Sequence, residues 1–372
     1  MEPPSVSRDV YILAGGGTGG HLYPGLAVAE ELLRVRPGAM IVFACSDRAI
    51  DRQVLGEAPC AIVPQPIQPA PRLGSLWAFF TSYIRSARQA RDMVRDLKPA
   101  AVLGTGGFAA VPLVRAGAKA GVRTGLLNPD AVPGKANRFL ARRADAVFVQ
   151  FAATADRFPP SLRGRVQPVG CPIRKEFFAA DRPAALREMG LRDDRKTLLV
   201  AGGSLGARTV NDALAAIAAD LDERGAAWQL LHVTGPGKQA GPGLGDSARR
   251  MHVMTMEYCR RMDLALAAAD LVLCRAGAST VAELCATGKP AVIMPYPYHK
   301  DQHQRLNAQP LVEAGAAILV EDAKDSAANA AMLRRVLLPL LDDAARLESA
   351  RRAAEGLTKP QAAADVARWM AG

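Results

Sequence analysis

Short apolar runs, glycine-rich turns and amphipathic helices alternate along this chain, and the alternation starts twice. Asp9–Ala14 is an apolar run with strand character. It passes through Gly15-Gly16-Gly17-Thr18-Gly19-Gly20-His21 into a helix predicted from about Pro24 to Leu33, where Leu26, Ala29, Leu32 and Leu33 make one stripe. Pro24 suits a first helical turn. Further strands are predicted at Ile41–Cys45, Ala101–Leu103, Thr124–Leu127 and Ala146–Gln150. The second of these ends in another glycine turn, Gly104-Thr105-Gly106-Gly107-Phe108, which leads into a helix through Ala120. Pro64–Pro71 reads as a proline-rich loop and Leu73–Leu97 as a long helix. On that helix Leu76, Phe80, Tyr83, Ala87, Ala90, Val94 and Leu97 form the expected core seam. The opposite face carries Leu73, Trp77, Ile84, Arg88, Arg91 and Arg95.

Val166–Arg174, with Pro168 and Pro172, reads as the exit from a first domain. The pattern then restarts. Thr197–Ala201 is a strand, Gly202-Gly203-Ser204-Leu205-Gly206-Ala207 its glycine turn, and Thr209–Ala219 a helix. Gln229–Thr234 and Met251–Thr255 are further strands. From Asp270 to Ala308 the order is strand (Leu271–Cys274), small-residue turn (Arg275–Ser279), helix (Thr280–Ala286), strand (Ala291–Met294) and polar segment (His299–Asn307). Gly288 and Pro290 stop that helix. Ala344–Met370 reads as one alanine- and arginine-rich helix able to span both domains. The expectation is an α/β protein of two Rossmann-like domains, residues 1–166 and 167–345, with a terminal helix, 346–372, packing back toward the first.

Composition narrows the function classes. The length of 372 residues suits two domains, and 49% apolar residues supply ample core. Aromatics at 5% argue against a stacking platform for single-stranded nucleic acid. Residues 1–165 carry 21 Lys and Arg against 12 Asp and Glu, the remainder 26 against 24, so the positive charge is concentrated in the first half. That half suits an anionic partner, a phosphorylated substrate or an acidic membrane surface better than nucleic acid, for which aromatic and zinc motifs are missing. The six cysteines are scattered without a CxxC pair, the pattern of reduced thiols in the cytosol. Met1–Leu13 has no apolar signal core and no run approaches ~18 apolar residues, so the protein is expected to be neither secreted nor membrane-spanning.

The chemistry is carried by the turns. Glycines after a strand let a phosphate approach backbone N–H groups at a helix start. Gly15, Gly17 and Gly20 also satisfy GxGxxG, with Asp47 after the next strand, so a nicotinamide-binding reading stays open. His21, closing the run, is either a substrate-facing base or a helix-start residue bonded to local backbone. Asp130 falls at a strand's carboxyl end, where active-site groups collect. Gly277 and Ala278 open a helix on which Glu283, one turn on, can accept hydrogen bonds from a sugar's paired hydroxyls. No Asp, Glu or His cluster has convincing metal-ligand spacing, and no cofactor is expected.

Taken together and in order, GGGTGGHLYPGLAVAEEL, LGTGGF, AVPGKANR, GCPIR, AGGSLGARTVNDAL and the Asp270–Ala308 stretch resemble the MurG family of glycosyltransferases. The resemblance implies GT-B architecture, two Rossmann-like domains facing a central cleft. It implies inverting transfer of N-acetylglucosamine from its UDP donor to the undecaprenyl-linked muramoyl-pentapeptide of peptidoglycan synthesis, at the cytoplasmic face of an anionic cell membrane. Position by position, Ser204 would face the diphosphate and Arg174 the nucleotide-sugar, while the Cys259 backbone would read uracil. Ala278, Ser279, Thr280, Val281, Ala282 and Glu283 would line the nucleotide, with Glu283 on the ribose. His303 and Gln304 would lie by the sugar. Thr18, Gly19 and Gly20 would meet the acceptor pyrophosphate or the transferred sugar, with His21 as base. Three positions depart from the family: Leu127–Asp130 stands where HEQN is usual, and Leu205 and His303 each stand where glutamine is usual. The first leaves open another lipid acceptor, or a UDP-sugar-binding regulator without turnover.

Overall fold

The computed structural model describes residues 9–56, 58–68, 76–179, 181–238 and 250–372. The chain forms two compact units, residues 1–174 with 360–372, and residues 175–359. The first holds a seven-stranded parallel sheet: β1 (Val10–Gly15), β2 (Met40–Ser46), β3 (Ala61–Gln65), β4 (Ala101–Gly106), β5 (Arg123–Asn128), β6 (Ala146–Val149) and β7 (Val166–Pro168), in the order β3-β2-β1-β4-β5-β6-β7. The second holds six parallel strands: β8 (Lys196–Ala201), β9 (Trp228–Val233), β10 (Val253–Met256), β11 (Leu271–Cys274), β12 (Ala291–Ile293) and β13 (Ala317–Leu319), in the order β10-β9-β8-β11-β12-β13. Helices cover both faces, which is why β4 and β6 are apolar and buried along their whole length. In each sheet the order reverses once, between β1 and β4 and between β8 and β11. Ligands of open α/β sheets bind at the carboxyl ends of the strands beside such a reversal. The four small-residue turns noted above lie there: Gly15–Gly20 and Gly104–Phe108 in the first unit, Gly202–Ala207 and Arg275–Ser279 in the second.

The boundaries differ from the sequence expectation. The segment 166–168 is no exit but the edge strand β7, paired to β6 from Val147↔Val166 to Val149↔Pro168, so the first unit runs on to Arg174. Proline is tolerated there because an edge strand leaves one side of its backbone unpaired. The terminal helix is two helices, Ala344–Glu355 and Ala362–Ala371, interrupted around Gly356 and Pro360. The former belongs to the second unit. The latter packs on the helix Gly19–Val35 of the first, burying Val366, Ala367 and Met370, with Trp369 edge-on to Phe148. The first helix also starts earlier than predicted, at Gly19, with Pro24 inside it.

The long basic helix runs from Leu76 to Leu97; Leu73 and the prolines at 69 and 71 lie outside the described residues. Its phase corrects the expected seam. Phe80 is not core but 56% exposed, beside Trp77 at 79%. The buried stripe is Ser82, Ser86, Ala90 and Val94. Ser86 donates to Gln65 Oε1 at 2.7 Å, and Ser82 Oγ accepts from the Gln68 N–H at 3.2 Å. Two partnered serines thus take core positions that a purely apolar pattern assigns elsewhere.

Candidate functional site

At the first reversal, His21 sits two residues into the helix Gly19–Val35, with Nδ1 3.2 Å from the Gly16 carbonyl and 3.3 Å from Thr18 Oγ1. A carbonyl only accepts, so the proton resides on Nδ1 and the Nε2 lone pair is available to take another. The ring lies against the β4 turn. Gly106 has φ +120°, and a Cβ there would come within 2.5 Å of His21 Cδ2, so glycine is required on both counts. The Gly15–Gly20 loop is held from beneath by Asp51, which is fully buried. Its carboxylate accepts from the Gly17 N–H at 2.9 and 3.1 Å, from the Ser46 N–H at 2.9 Å and from Ser46 Oγ at 2.6 Å. Asp47, the acid that completed the nicotinamide fingerprint, instead lies exposed in an ion pair with Arg52. The sequence signal for Asp51 was its spacing of four from buried Leu55 on one helix face.

Asp130 follows β5, half-buried. Its carbonyl accepts from Asn128 Nδ2 at 2.8 Å, and Asn137 Nδ2 bonds Leu127 O and Asn128 Oδ1 at 2.9 and 3.0 Å. The departing Leu127–Asp130 segment is therefore braced by two asparagines. Arg174 closes the first unit, its guanidinium 4.9 Å over the Tyr23 ring.

At the second reversal, Ser204 and Leu205 project from the turn after β8, Leu205 73% exposed. Gly206 and Gly235 press together so closely that a Cβ on Gly206 would lie 2.1 Å from Thr234 O. Asn211 ties both turns: its Nδ2 donates to Thr234 O and Lys238 O at 2.9 and 2.7 Å, which leaves Oδ1 to accept from His232 Nε2 at 3.1 Å. Burial keeps that imidazole neutral, its pKa pushed down to about 4.

The turn after β11 opens the helix Ala278–Ala286, which starts from Gly277 without a side-chain cap. Val281 and Ala282 face the core, so either can reach a ligand only through backbone; Ser279, Thr280 and Glu283 are half-buried. Gln304 braces this turn, its Oε1 accepting from the Tyr296 N–H at 2.9 Å and the Ala276 N–H at 3.3 Å. Any sugar contact from Gln304 would then use its Nε2. Cys259, just before the helix Met262–Ala268, is buried, and burial pushes its thiol pKa up.

Arg275 was passed over in the sequence and proves central. Almost fully buried, it donates from Nη1 to the carbonyls of Met294 and Pro295 at 2.8 and 3.0 Å. Its Nη2 reaches Thr209 Oγ1 at 2.8 Å and Asp322 Oδ2 at 2.7 Å. Burial pushes the Asp322 carboxyl up, and the bonds from Thr209, Asn329 and Arg275 outweigh it, holding the pKa below the ordinary carboxylate value. One buried cation thus ties the ends of β11 and β12 to the start of the helix Arg208–Ala216. The sequence signal was a charge directly at the end of an apolar strand.

Among the described residues, His299, Asp301 and His303 bring one ligand atom each to within 4.8 Å of one another.

Compared with known proteins, the chain matches the glycosyltransferase family 28 N-terminal domain over residues 11–149 and the C-terminal domain of that family over residues 197–366. It is 42% identical over 352 residues to a Leifsonia xyli subsp. xyli protein named UDP-N-acetylglucosamine--N-acetylmuramyl-(pentapeptide) pyrophosphoryl-undecaprenol N-acetylglucosamine transferase, covering 92% of this chain and 93% of that protein. A protein of the same name from Chlorobaculum parvum is 40% identical over 364 residues, 96% of this chain and 97% of the relative. The crystal structure of Acinetobacter baumannii MurG aligns with a TM-score of 0.72 at 26% identity, over 98% of this chain and 99% of that one.

Proposed function

The chain belongs to glycosyltransferase family 28 and within it to the MurG family, and from that premise we propose that it transfers N-acetylglucosamine from UDP-N-acetylglucosamine to the undecaprenyl-pyrophosphoryl muramoyl-pentapeptide of peptidoglycan synthesis. Its two parallel sheets are the GT-B architecture of the family. The observation that carries the activity is identity of 40–42% to named transferases along more than nine-tenths of each chain.

In the transfer, the acceptor hydroxyl oxygen attacks the anomeric carbon and inverts it. The bond to the diphosphate oxygen breaks, and UDP leaves with the electron pair. The hydroxyl proton passes to His21 Nε2, for which the bond from Nδ1 to Gly16 prepares the ring. Charge developing on UDP is met by backbone N–H groups at the start of the helix Ala278–Ala286 and by the Ser204 turn. Glu283 takes the ribose hydroxyls, the Cys259 backbone the uracil, and His303 and Gln304 the sugar. Thr18, Gly19 and Gly20 take the acceptor pyrophosphate, with Asp130 on the same side.

The test is transfer of radiolabelled N-acetylglucosamine from its UDP donor to a short-chain analogue of the lipid-linked muramoyl-peptide. Labelled lipid is the expected product. No product with UDP-N-acetylglucosamine binding intact would overturn this acceptor and leave a different lipid acceptor or a binder without turnover.

Such an acceptor is confined to a membrane, and the first unit has a face suited to one. Among the described residues no helix is long and apolar enough to cross a bilayer. Trp77 and Phe80 are exposed at one end of the helix Leu76–Leu97, and Phe79 touches the partly exposed Phe108. Arg88, Arg91 and Arg95 follow along the same helix. Arg115 bonds the Tyr83 hydroxyl and lies over the exposed Phe139 ring, with Arg143 also over that ring. Apolar side chains ringed by arginines fit peripheral docking to the anionic cytoplasmic leaflet. Trp77→Asp with Arg88→Glu is expected to weaken co-sedimentation with anionic vesicles by roughly tenfold or more; unchanged sedimentation would remove this helix from the docking surface.

A further inference from the structure

We propose that His299, Asp301 and His303 form a binding site for a divalent transition metal of the Zn²⁺ class, on the segment that leads into the helix His303–Glu313. Gln302 occupies the left-handed region, with φ 48° and ψ 28°, and caps that helix. The turn brings His303, its first residue, back over the segment before it. His303 Nδ1 then lies 2.8 Å from Asp301 Oδ1 and 3.2 Å from His299 Nδ1. In a tetrahedral zinc site with bonds of about 2.0–2.1 Å, neighbouring ligand atoms are roughly 3.3 Å apart. These two spacings, with all three ligand atoms within 4.8 Å of one another, bracket that arrangement.

Two imidazoles and one carboxylate select zinc, copper or nickel over magnesium and calcium, and three protein ligands leave an open position for water. The rings are held in place: His299 packs edge-on against Tyr296 at 4.9 Å and against His303 at 4.4 Å. The next residue, Gln304, anchors the helix start to the Ala276 and Tyr296 backbone. The site shares His303 with the proposed sugar contacts, and its metal titration is made without substrates so that its outcome does not depend on the transferase reading.

The experiment is calorimetric titration of untagged, full-length protein with Zn²⁺, without substrates, paired with Co²⁺ absorption as a report of coordination. One saturating equivalent is expected, with Mg²⁺ giving no heat. His299→Ala and Asp301→Asn should each weaken Zn²⁺ binding about 10–100-fold, while His252→Ala, at a half-buried histidine ahead of the edge strand β10, leaves it unchanged. No saturable uptake, or uptake insensitive to His299→Ala, overturns the site. The paired variants separate it from uptake by thiols.

Discussion

His21→Ala lowers kcat for sugar transfer by about 10²–10⁴-fold while the Kd for UDP-N-acetylglucosamine stays within about twofold. The size follows from the role. Without a base at the acceptor hydroxyl, the proton must leave to water as the carbon–oxygen bond forms. The ring is placed for that role: Nδ1 is tied to the Gly16 carbonyl, and its flank rests on Gly106 and Gly107. Nothing in that arrangement is needed to hold a nucleotide. Steady-state transfer kinetics and calorimetric titration of the donor measure the two quantities separately. An equal loss in both would mark His21 as a binding residue and end its assignment as base. Asp51, which secures the neighbouring Gly17 N–H, acts on the loop rather than on the reacting atoms.

The largest expected effect on stability is at Asp322. Asp322→Ala should destabilise the protein by about 3–5 kcal/mol, because it leaves the Arg275 guanidinium buried without its counter-charge. The carboxylate also loses its bonds from Thr209, Asn329 and the Lys324 N–H. By contrast, Asp47→Ala removes an exposed pair with Arg52 and should shift stability by less than about 1 kcal/mol. Urea unfolding of the two variants beside the parent measures both. Two units can give two transitions, so the comparison is made on the transition that Asp322→Ala moves. An Asp322 variant within about 1 kcal/mol of the parent would show that the buried pair is not what secures these turns. Because Arg275 holds Met294 and Pro295 by their carbonyls, the same variant is expected to loosen UDP-sugar binding as well.

Much of the fold was legible in the chain itself. A strand covered by helices on both faces is apolar along its whole length, so β1, β2, β4, β8 and β11 announced themselves as short continuous runs. The glycine turns after four of the strands were equally plain, because only small residues let backbones approach as Gly206 and Gly235 do. The short strands β3, β7 and β13 were not legible. Two contain proline, the third has only three residues, and their pairing depends on neighbours distant in sequence.

By itself, then, the sequence determined the α/β class, the restart into a second sheet, the turns that carry the candidate site and the family. These depend on local periodicity and on motifs contiguous in the chain. Tertiary structure alone decided which polar groups are buried together. It chose Asp51 over Asp47 beneath the glycine loop, turned Ser82 and Ser86 inward and Phe80 outward, and joined Arg275 to Asp322 across 47 residues. It also split the terminal helix between the two units and gathered His299, Asp301 and His303 around one point. For the buried polar groups among these the physical reason is common. A buried charge or hydroxyl is tolerable only with its partner, and that partner is set by packing rather than by spacing along the chain.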